Sequence, residues 1–406
     1  MESSMKLLVL MIGFPYPPTS GGQLRDFNLI KEMSKKFILD LVIHSSSIVK
    51  PEHFKFVESY CNYLEVVYCK NNHSLFLFIR SIITKVPYKV LQYTSAKFRG
   101  RVLELNKRQK YDILFCDHLY LTQSLPKNIS IPVIPHTLDS FFPLYRQLAQ
   151  KGNLVKKIYA TIQWKILFSY EITIYKRFGI FIAVSKEERA LIQKELPEIK
   201  IPIVPNGIDL DYYYWNKNET NKTRLTYLGL MDYLPNEDAV IYFSNEILPL
   251  IRSEIPEIEF YIVGKNPTNK VLRLGKEKGI TVTGSVEDVR GYIAESMVFI
   301  VPLRMGTGTR FKILEAMSMG IPIVSTSIGC EGINVTNNVN ILISDTPEAF
   351  SKAIITLIND KALRERISCE GRKVAENYSW DSIGTDFNNF LISLIKERGD
   401  EVENIN

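Results

Sequence analysis

The chain has 406 residues, 46% of them hydrophobic and 23% charged, with a net charge of +6. Those values suit a globular protein of two ordinary domains and exclude a disordered, collagenous or coiled-coil chain. The mild basic excess suits anionic partners (nucleotide phosphates, acidic membrane surfaces, nucleic acid) or a plain lysine-rich surface, without choosing among them.

From the N-terminus, Lys6-Leu-Leu-Val-Leu-Met-Ile-Gly13 is a short apolar run with no small-residue cleavage site, which predicts a buried first strand and not a signal peptide. Further strands are expected at 38–43, 112–115, 131–134, 180–184 and 201–204, and a second set at 225–228, 259–263, 280–283, 298–301 and 322–325. Nearly continuous apolarity within each run predicts strands covered on both faces, as in parallel sheets. Amphipathic helices are expected between them, for example at 23–35 and 238–251. That alternation is the signature of doubly wound α/β domains, and two sets imply two Rossmann-like halves. The joint falls near Val204-Pro-Asn-Gly-Ile-Asp209, where Pro and Gly punctuate a strand end. The expected division is 1–205, 206–376, and a C-terminal helix over 377–406 that returns to the first domain.

Two segments bear on membranes. The run 75–83 is the most apolar, but it is far short of the ~20 residues a span needs, and Arg80 breaks it. Residues 146–177 are basic and aromatic, with Lys156, Lys157, Tyr159, Trp164, Lys165 and Tyr170 among them. They form either an interfacial face for anionic lipid or a helix covering the sheet with lysines at its solvent edge. Five scattered cysteines with no C-x-x-C pair indicate a reducing compartment, so the six N-x-S/T sequons are chance products of an Asn-rich composition.

The chemistry concentrates in 301–322. A buried strand ends at Pro302; Gly306-Thr307-Gly308-Thr309 follows, and a helix opens near Arg310. Such a junction presents free N–H groups and the positive end of a helix dipole, which bind anions. Gly306 and Gly308 permit close backbone approach or positive φ. Arg310 and Lys312 add two cations at one spot, suited to a diphosphate. Glu315, one turn later, is placed to accept the two hydroxyls of a ribose, or else to serve as an ordinary first-turn glutamate.

With these residues in view, the segment resembles the donor site of the group 1 (family 4) glycosyltransferases, retaining enzymes of GT-B fold. The resemblance extends along the chain in the family's order. Met11-Ile-Gly-Phe-Pro15-Tyr-Pro-Pro18-Thr-Ser-Gly21-Gly22 is similar to its first loop, facing donor phosphate and acceptor. Val184-Ser185 and Pro205-Asn206-Gly207 resemble its end-of-domain and linker signatures. Phe260-Tyr-Ile-Val-Gly264 and Thr283-Gly284 to Asp288-Val289 resemble its nucleotide-side strands, and Tyr378-Ser-Trp380 its tail. What the resemblance implies is α/β architecture with two Rossmann-like doubly wound domains and a donor/acceptor cleft between them. It further implies donor contacts from Gly21, Gly22, Asn206, Gly229, Gly264, Val289, Gly306, Thr307, Gly308, Thr309 and Glu315. Glu315 matches the second glutamate of the family's E-x7-E motif, His136 the histidine near donor sugar and acceptor, and His118 has a weaker, supporting match.

Two positions depart from the family pattern. Thr307 stands where the first motif glutamate belongs, and the Arg/Lys pair after the strand 225–228 is missing from Gly229-Leu-Met-Asp232-Tyr-Leu-Pro235-Asn236. The expectation is that Arg310 and Lys312 take over neutralisation of the leaving diphosphate, with His136 as the third catalytic residue. Asp209-Leu-Asp211 spells a D-x-D triplet but lies in the linker, so no essential metal is expected, and no cofactor besides the nucleotide-sugar substrate. The remaining expectations are a UDP-linked donor, a glycan or lipid-linked acceptor in cell-surface polysaccharide assembly, no nucleic acid, and a cytoplasmic location with peripheral contact at the inner face of the membrane. A sugar-nucleotide epimerase of the same architecture and a silent nucleotide-sugar-binding subunit are the rivals. The Pro205-Asn-Gly207 linker and Glu331-Gly332 speak against the epimerase, and Thr307 motivates the silent subunit. A dinucleotide oxidoreductase is disfavoured, because the first loop lacks G-x-G-x-x-G.

Overall fold

The computed structural model describes residues 5–70, 74–126, 128–129, 131–136, 154–214, 223–306 and 310–403. The chain divides into two compact units, Met1–Val204 with Trp380–Asn406, and Pro205–Ser379.

The first unit is built on β1 (Lys6–Ile12), β2 (Ile38–Ser45), β3 (Tyr63–Tyr68), β4 (Ile113–Cys116) and β5 (Val133–Pro135). All pair in parallel, in the order 3-2-1-4-5. Every residue of β4 and the central five of β1 are buried, as strands covered on both faces require. The expected strand at 180–184 pairs with 200–204 only through isolated bridges, Ile180 to Lys200 and Ala183 to Ile203. Pro202 carries no N–H, so the ladder between them cannot run on without a break. The strand β3 is an addition to the expected set. Glu65 and the half-exposed Tyr63 interrupt its apolarity, the pattern of an edge strand.

Helix Gly21–Ser34 starts on an N-cap: Ser20 Oγ accepts the Gln23 N–H at 3.3 Å. Against it packs the final helix, Trp380–Glu403, which buries Trp380, Ile383, Phe387 and Leu391 at helical spacing. Asn388 Nδ2 donates to Glu32 O at 2.8 Å, and a Cβ on Gly384 would lie 2.3 Å from Glu32 Cγ. Helix Leu154–Phe178 covers part of this unit, with Leu167, Tyr170, Ile174 and Tyr175 buried. Its described face therefore fits the covering alternative of the two weighed for 146–177; residues 146–153 lie outside the described set.

The second unit holds β6 (Arg224–Leu228), β7 (Glu259–Val263), β8 (Ile280–Gly284), β9 (Val298–Val301), β10 (Ile323–Ser325) and β11 (Leu342–Ile343). They run parallel in the order 11-10-9-6-7-8, the doubly wound arrangement. The helix expected at 238–251 is two helices, Leu234–Tyr242 and Leu248–Arg252, joined by a π-turn over Phe243–Ile247. Pro249 has no N–H to close the normal bond, and the wider turn absorbs the mismatch. Where this unit begins and ends, Ile208 N donates to Tyr378 O at 2.7 Å and Ile208 bridges Ser379.

Candidate functional site

From β6 the second sheet grows one way to β7 and β8, and the other way to β9, β10 and β11. The crevice above the carboxyl ends of β6 and β9 is thus the switch point where open α/β sheets take their ligands. Gly229 follows β6, Gly264 follows β7, and Leu303–Gly306 follow β9. Of the two glycines at the ends of β6 and β7, Gly264 is sterically obligatory and Gly229 is closely hemmed by a side chain. Gly264 has φ +150°, and a Cβ there would fall 1.7 Å from Gly229 O; a Cβ on Gly229 would meet the Asn236 amide at 2.7 Å. Gly306 also adopts positive φ, +121°, beside the Arg310 guanidinium.

Arg310 is the N-cap of helix Phe311–Ser318, and Lys312 lies in its first turn, which holds no acidic residue. Cations at the positive end of a helix dipole are unfavourable by roughly 0.3–1 kcal/mol each, and an anion placed there reverses the sign. Lys312 Nζ donates to Tyr227 Oη at 2.9 Å and to Asn236 Oδ1 at 3.0 Å, and sits 4.0 Å from the Tyr227 ring centroid. Tyr227 in turn donates to Asn236 Oδ1 at 2.6 Å. Burial, then the neighbouring Arg310 charge, bring the Lys312 ammonium down to about 7, with Glu315 pulling the other way. This lysine therefore reaches the 229–236 segment, where the expected cations are missing. Glu315 accepts the Tyr213 hydroxyl at 3.0 Å. Burial raises its carboxyl above the ordinary value, while Tyr213 and Lys312 hold it back.

These contacts join Gly229, Gly264, Gly306, Arg310, Lys312 and Glu315 into one neighbourhood. Thr307, Gly308 and Thr309 lie outside the described residues. Asn206 is buried at the start of the unit, and Val289 caps helix Arg290–Ala294 while packing on the hydrophobic core. Asp209 Oδ1 accepts the N–H groups of Asp211 at 3.0 Å and Tyr212 at 2.9 Å, so this carboxylate closes its own turn. Sequence reasoning missed Tyr213, Tyr227 and Asn236. Asn236 was visible as an odd residue in the cation-free segment; the two tyrosines gave no local signal.

In the first unit the corresponding switch point lies between β1 and β4. Gly21 and Gly22 open helix Gly21–Ser34 after the β1 loop, and Gln23 Nε2 ties that loop through Phe14 O at 3.1 Å. His136 follows β5 and is fully buried, its ring stacked on Phe115 at 5.7 Å. Arg25 Nε donates to His136 Nε2 at 3.3 Å, and Arg25 Nη2 donates to Val204 O at 2.7 Å. Burial, then the Arg25 charge, lower His136 to about 3, so the ring is neutral and its Nε2 is engaged as an acceptor. Asp117 Oδ2 pairs with His118 Nδ1 at 2.9 Å. Burial opposes ionisation of Asp117, but the His118 contact and the Arg25 charge hold it low. Burial, then the neighbouring Asp117 charge, push the Asp26 carboxyl well above the usual carboxylate range, against the pull of Arg25. Arg25 was also missed, since nothing near it in sequence marks it as a histidine partner. A cavity of about 430 Å³ opens nearby, at the ends of β1 and β2, lined in part by Phe14, Tyr16, His44, Lys50, His53 and Tyr93.

Residues 222–360 match the model described as glycosyl transferases group 1, and residues 65–212 match glycosyltransferase family 4. A Klebsiella pneumoniae protein named as an uncharacterised 44.6 kDa protein in the cps region is 24% identical, over 86% of this chain and 90% of its own. An Escherichia coli protein is named UDP-Gal:alpha-D-GlcNAc-diphosphoundecaprenol alpha-1,3-galactosyltransferase. It is 24% identical over 64% of this chain and 70% of its own. Among solved structures, Anabaena Alr3699/HepE in complex with UDP superposes with a TM-score of 0.65 at 15% identity, covering 96% of this chain and 100% of that one. That likeness establishes the two-unit α/β fold as GT-B. With both halves matched by models of one kind, the chain belongs to the group 1, family 4 glycosyltransferases.

Proposed function

We propose that this glycosyltransferase moves a hexose, with retention of anomeric configuration, from a UDP-linked donor to a glycan or lipid-linked acceptor in cell-surface polysaccharide assembly. The observation that carries the reading is the pair Arg310 and Lys312 at the acid-free N-terminus of helix Phe311–Ser318, above the switch point of the second sheet. A departing diphosphate puts two negative charges where that pair and the helix dipole already sit, and preorganised charge of this kind is the largest expected contribution to catalysis. The same cations take the place of a metal in neutralising the leaving group. Glu315, freed from Tyr213, accepts the ribose hydroxyls. The leaving phosphate helps to deprotonate the acceptor on its own face, so no protein nucleophile is named. Arg25 holds the neutral His136 through its Nε2, so Arg25 is the positioning residue and His136 the group it places for donor sugar and acceptor.

The nature of the acceptor is drawn from the named relatives, one acting on a diphosphoundecaprenol-linked sugar and one encoded in a cps region. The polar and aromatic cavity at the ends of β1 and β2 has the lining a saccharide needs. A thermal-shift panel of UDP-, GDP- and ADP-sugars, repeated with chelator, tests the donor. The UDP-sugar should raise the melting temperature most, with chelator present or absent. Proton NMR of the product then reads the anomer. A second reading rests on Thr307 in place of the first motif glutamate: a silent subunit would bind the donor in calorimetry and neither transfer nor hydrolyse it.

A further inference from the structure

We infer that helix Leu75–Thr84 is a docking face for an anionic lipid bilayer, a role separate from the transfer chemistry and independent of it.

The helix is amphipathic, but its apolar side is turned outward. Leu75, Phe76, Ile79, Ile82 and Ile83 are exposed, Leu75 at 74% and Ile83 at 75%, while Leu77 and Ser81 are buried. At 100° per residue the five exposed side chains fall within an arc of roughly 120°, the width of the stripe that a surface helix ordinarily turns to its core. The inverted orientation is held from behind. Ser74 caps the helix by accepting the Leu77 N–H at 3.2 Å, Gln163 Nε2 donates to Ser81 Oγ at 3.2 Å, and the Phe78 and Tyr159 rings meet at 5.3 Å. Ile158 and Tyr159 on the neighbouring helix are exposed as well and extend the apolar patch.

Charge decides what covers it. Between Glu65 and Glu104 the sequence contains seven Lys and Arg and no Asp or Glu. Lys70, Arg80, Lys85, Lys97 and Arg99 are exposed. Helix Leu154–Phe178 has a single acid, Glu171, and it is buried. A protein partner of ordinary mixed surface charge gains little from so one-signed a segment, whereas anionic headgroups gain with every cation. At 1.5 Å per residue the helix is about 15 Å long, half the bilayer core, and no helix among the described residues is long and apolar enough to cross a membrane. The segment therefore lies in the interface, apolar face down, with Arg80 and Lys85 at headgroup level.

The test is co-sedimentation of the full chain with vesicles of phosphatidylglycerol and phosphatidylcholine, against vesicles of phosphatidylcholine alone. Binding should appear with the anionic vesicles and weaken as salt is raised. Ile79→Glu with Ile83→Glu should cut the bound fraction about tenfold and leave the melting temperature unchanged, because both side chains are exposed. Arg80→Glu with Lys85→Glu should cut it about threefold and flatten the salt dependence. Wild-type protein that stays in the supernatant at low salt overturns the inference, as does an Ile79→Glu/Ile83→Glu protein that binds like wild type. So does a concentration-dependent dimer, seen by sedimentation velocity, that those substitutions dissolve. Donor binding in the thermal-shift panel is read separately, so failure of one claim leaves the other standing.

Discussion

Lys312 is held among Tyr227, Asn236 and Arg310, in surroundings that depress its proton affinity to about 7. A diphosphate arriving beside it favours the charged form, so donor binding should draw a proton from solvent. Calorimetry at pH 8 in buffers of different ionisation heat should register an uptake approaching one proton per donor, absent in Lys312→Met. For the ligand-free fold the sign follows from which state holds more protons. Between pH 7 and the ordinary lysine value of 10.5 the unfolded chain holds more, so this group makes the fold more stable as pH rises through that window; below 7 its full cost is present. Lys312→Met should therefore melt higher than wild type at pH 7. Lys312→Ala should lower turnover about 10²–10³-fold with a smaller change in donor affinity, measured by steady-state kinetics. An unchanged rate and affinity in that variant would sink the assignment.

Strand ends and helix starts carry the site, and their geometry tolerates little. Gly264→Ala forces a methyl into the Gly229 carbonyl, so it should cost ~3 kcal/mol or more in denaturant unfolding and abolish donor binding with it. The parallel strands were legible in the sequence because strands covered on both faces read as unbroken apolar runs, as β1, β4 and β9 do. Helix Phe311–Ser318 and its cations were legible because the strand, the glycine loop and the charges are neighbours in the chain. Other features were not. Tyr227 lies 85 residues from the lysine it engages, and Arg25 lies 111 residues from His136. Local pattern also reports that a helix has an apolar side without reporting where that side points. Residues 75–83 show in sequence only that they are too short to span a bilayer, and 146–177 left a lipid face and a sheet-covering helix both open; the described part of that helix buries Leu167, Tyr170, Ile174 and Tyr175 yet exposes Ile158 and Tyr159.

The chain completes its first unit only after making the whole of the second. Because Ile208 and Ser379 are bridged, the ends of the second unit are adjacent, and cutting there breaks little of its own structure. A fragment 205–379 should fold cooperatively alone and bind UDP, which circular dichroism melting with and without UDP would check. The fragment 1–204 lacks the helix that buries Trp380, Phe387 and Leu391, each worth about 2 kcal/mol, and should expose apolar surface to a hydrophobic dye.

On the ribosome this arrangement sets an order of events. About 200 residues separate Val204 from the end of helix Trp380–Glu403, and at roughly 5–20 residues per second the first unit waits some 10–40 s for its last helix. The nested half can fold while the enclosing half is still open. In the living cell, then, the stretch of helix Gly21–Ser34 around Glu32 that will receive Gly384 and Asn388 is a natural station for a chaperone, and slowing translation between 205 and 379 should lengthen its stay there.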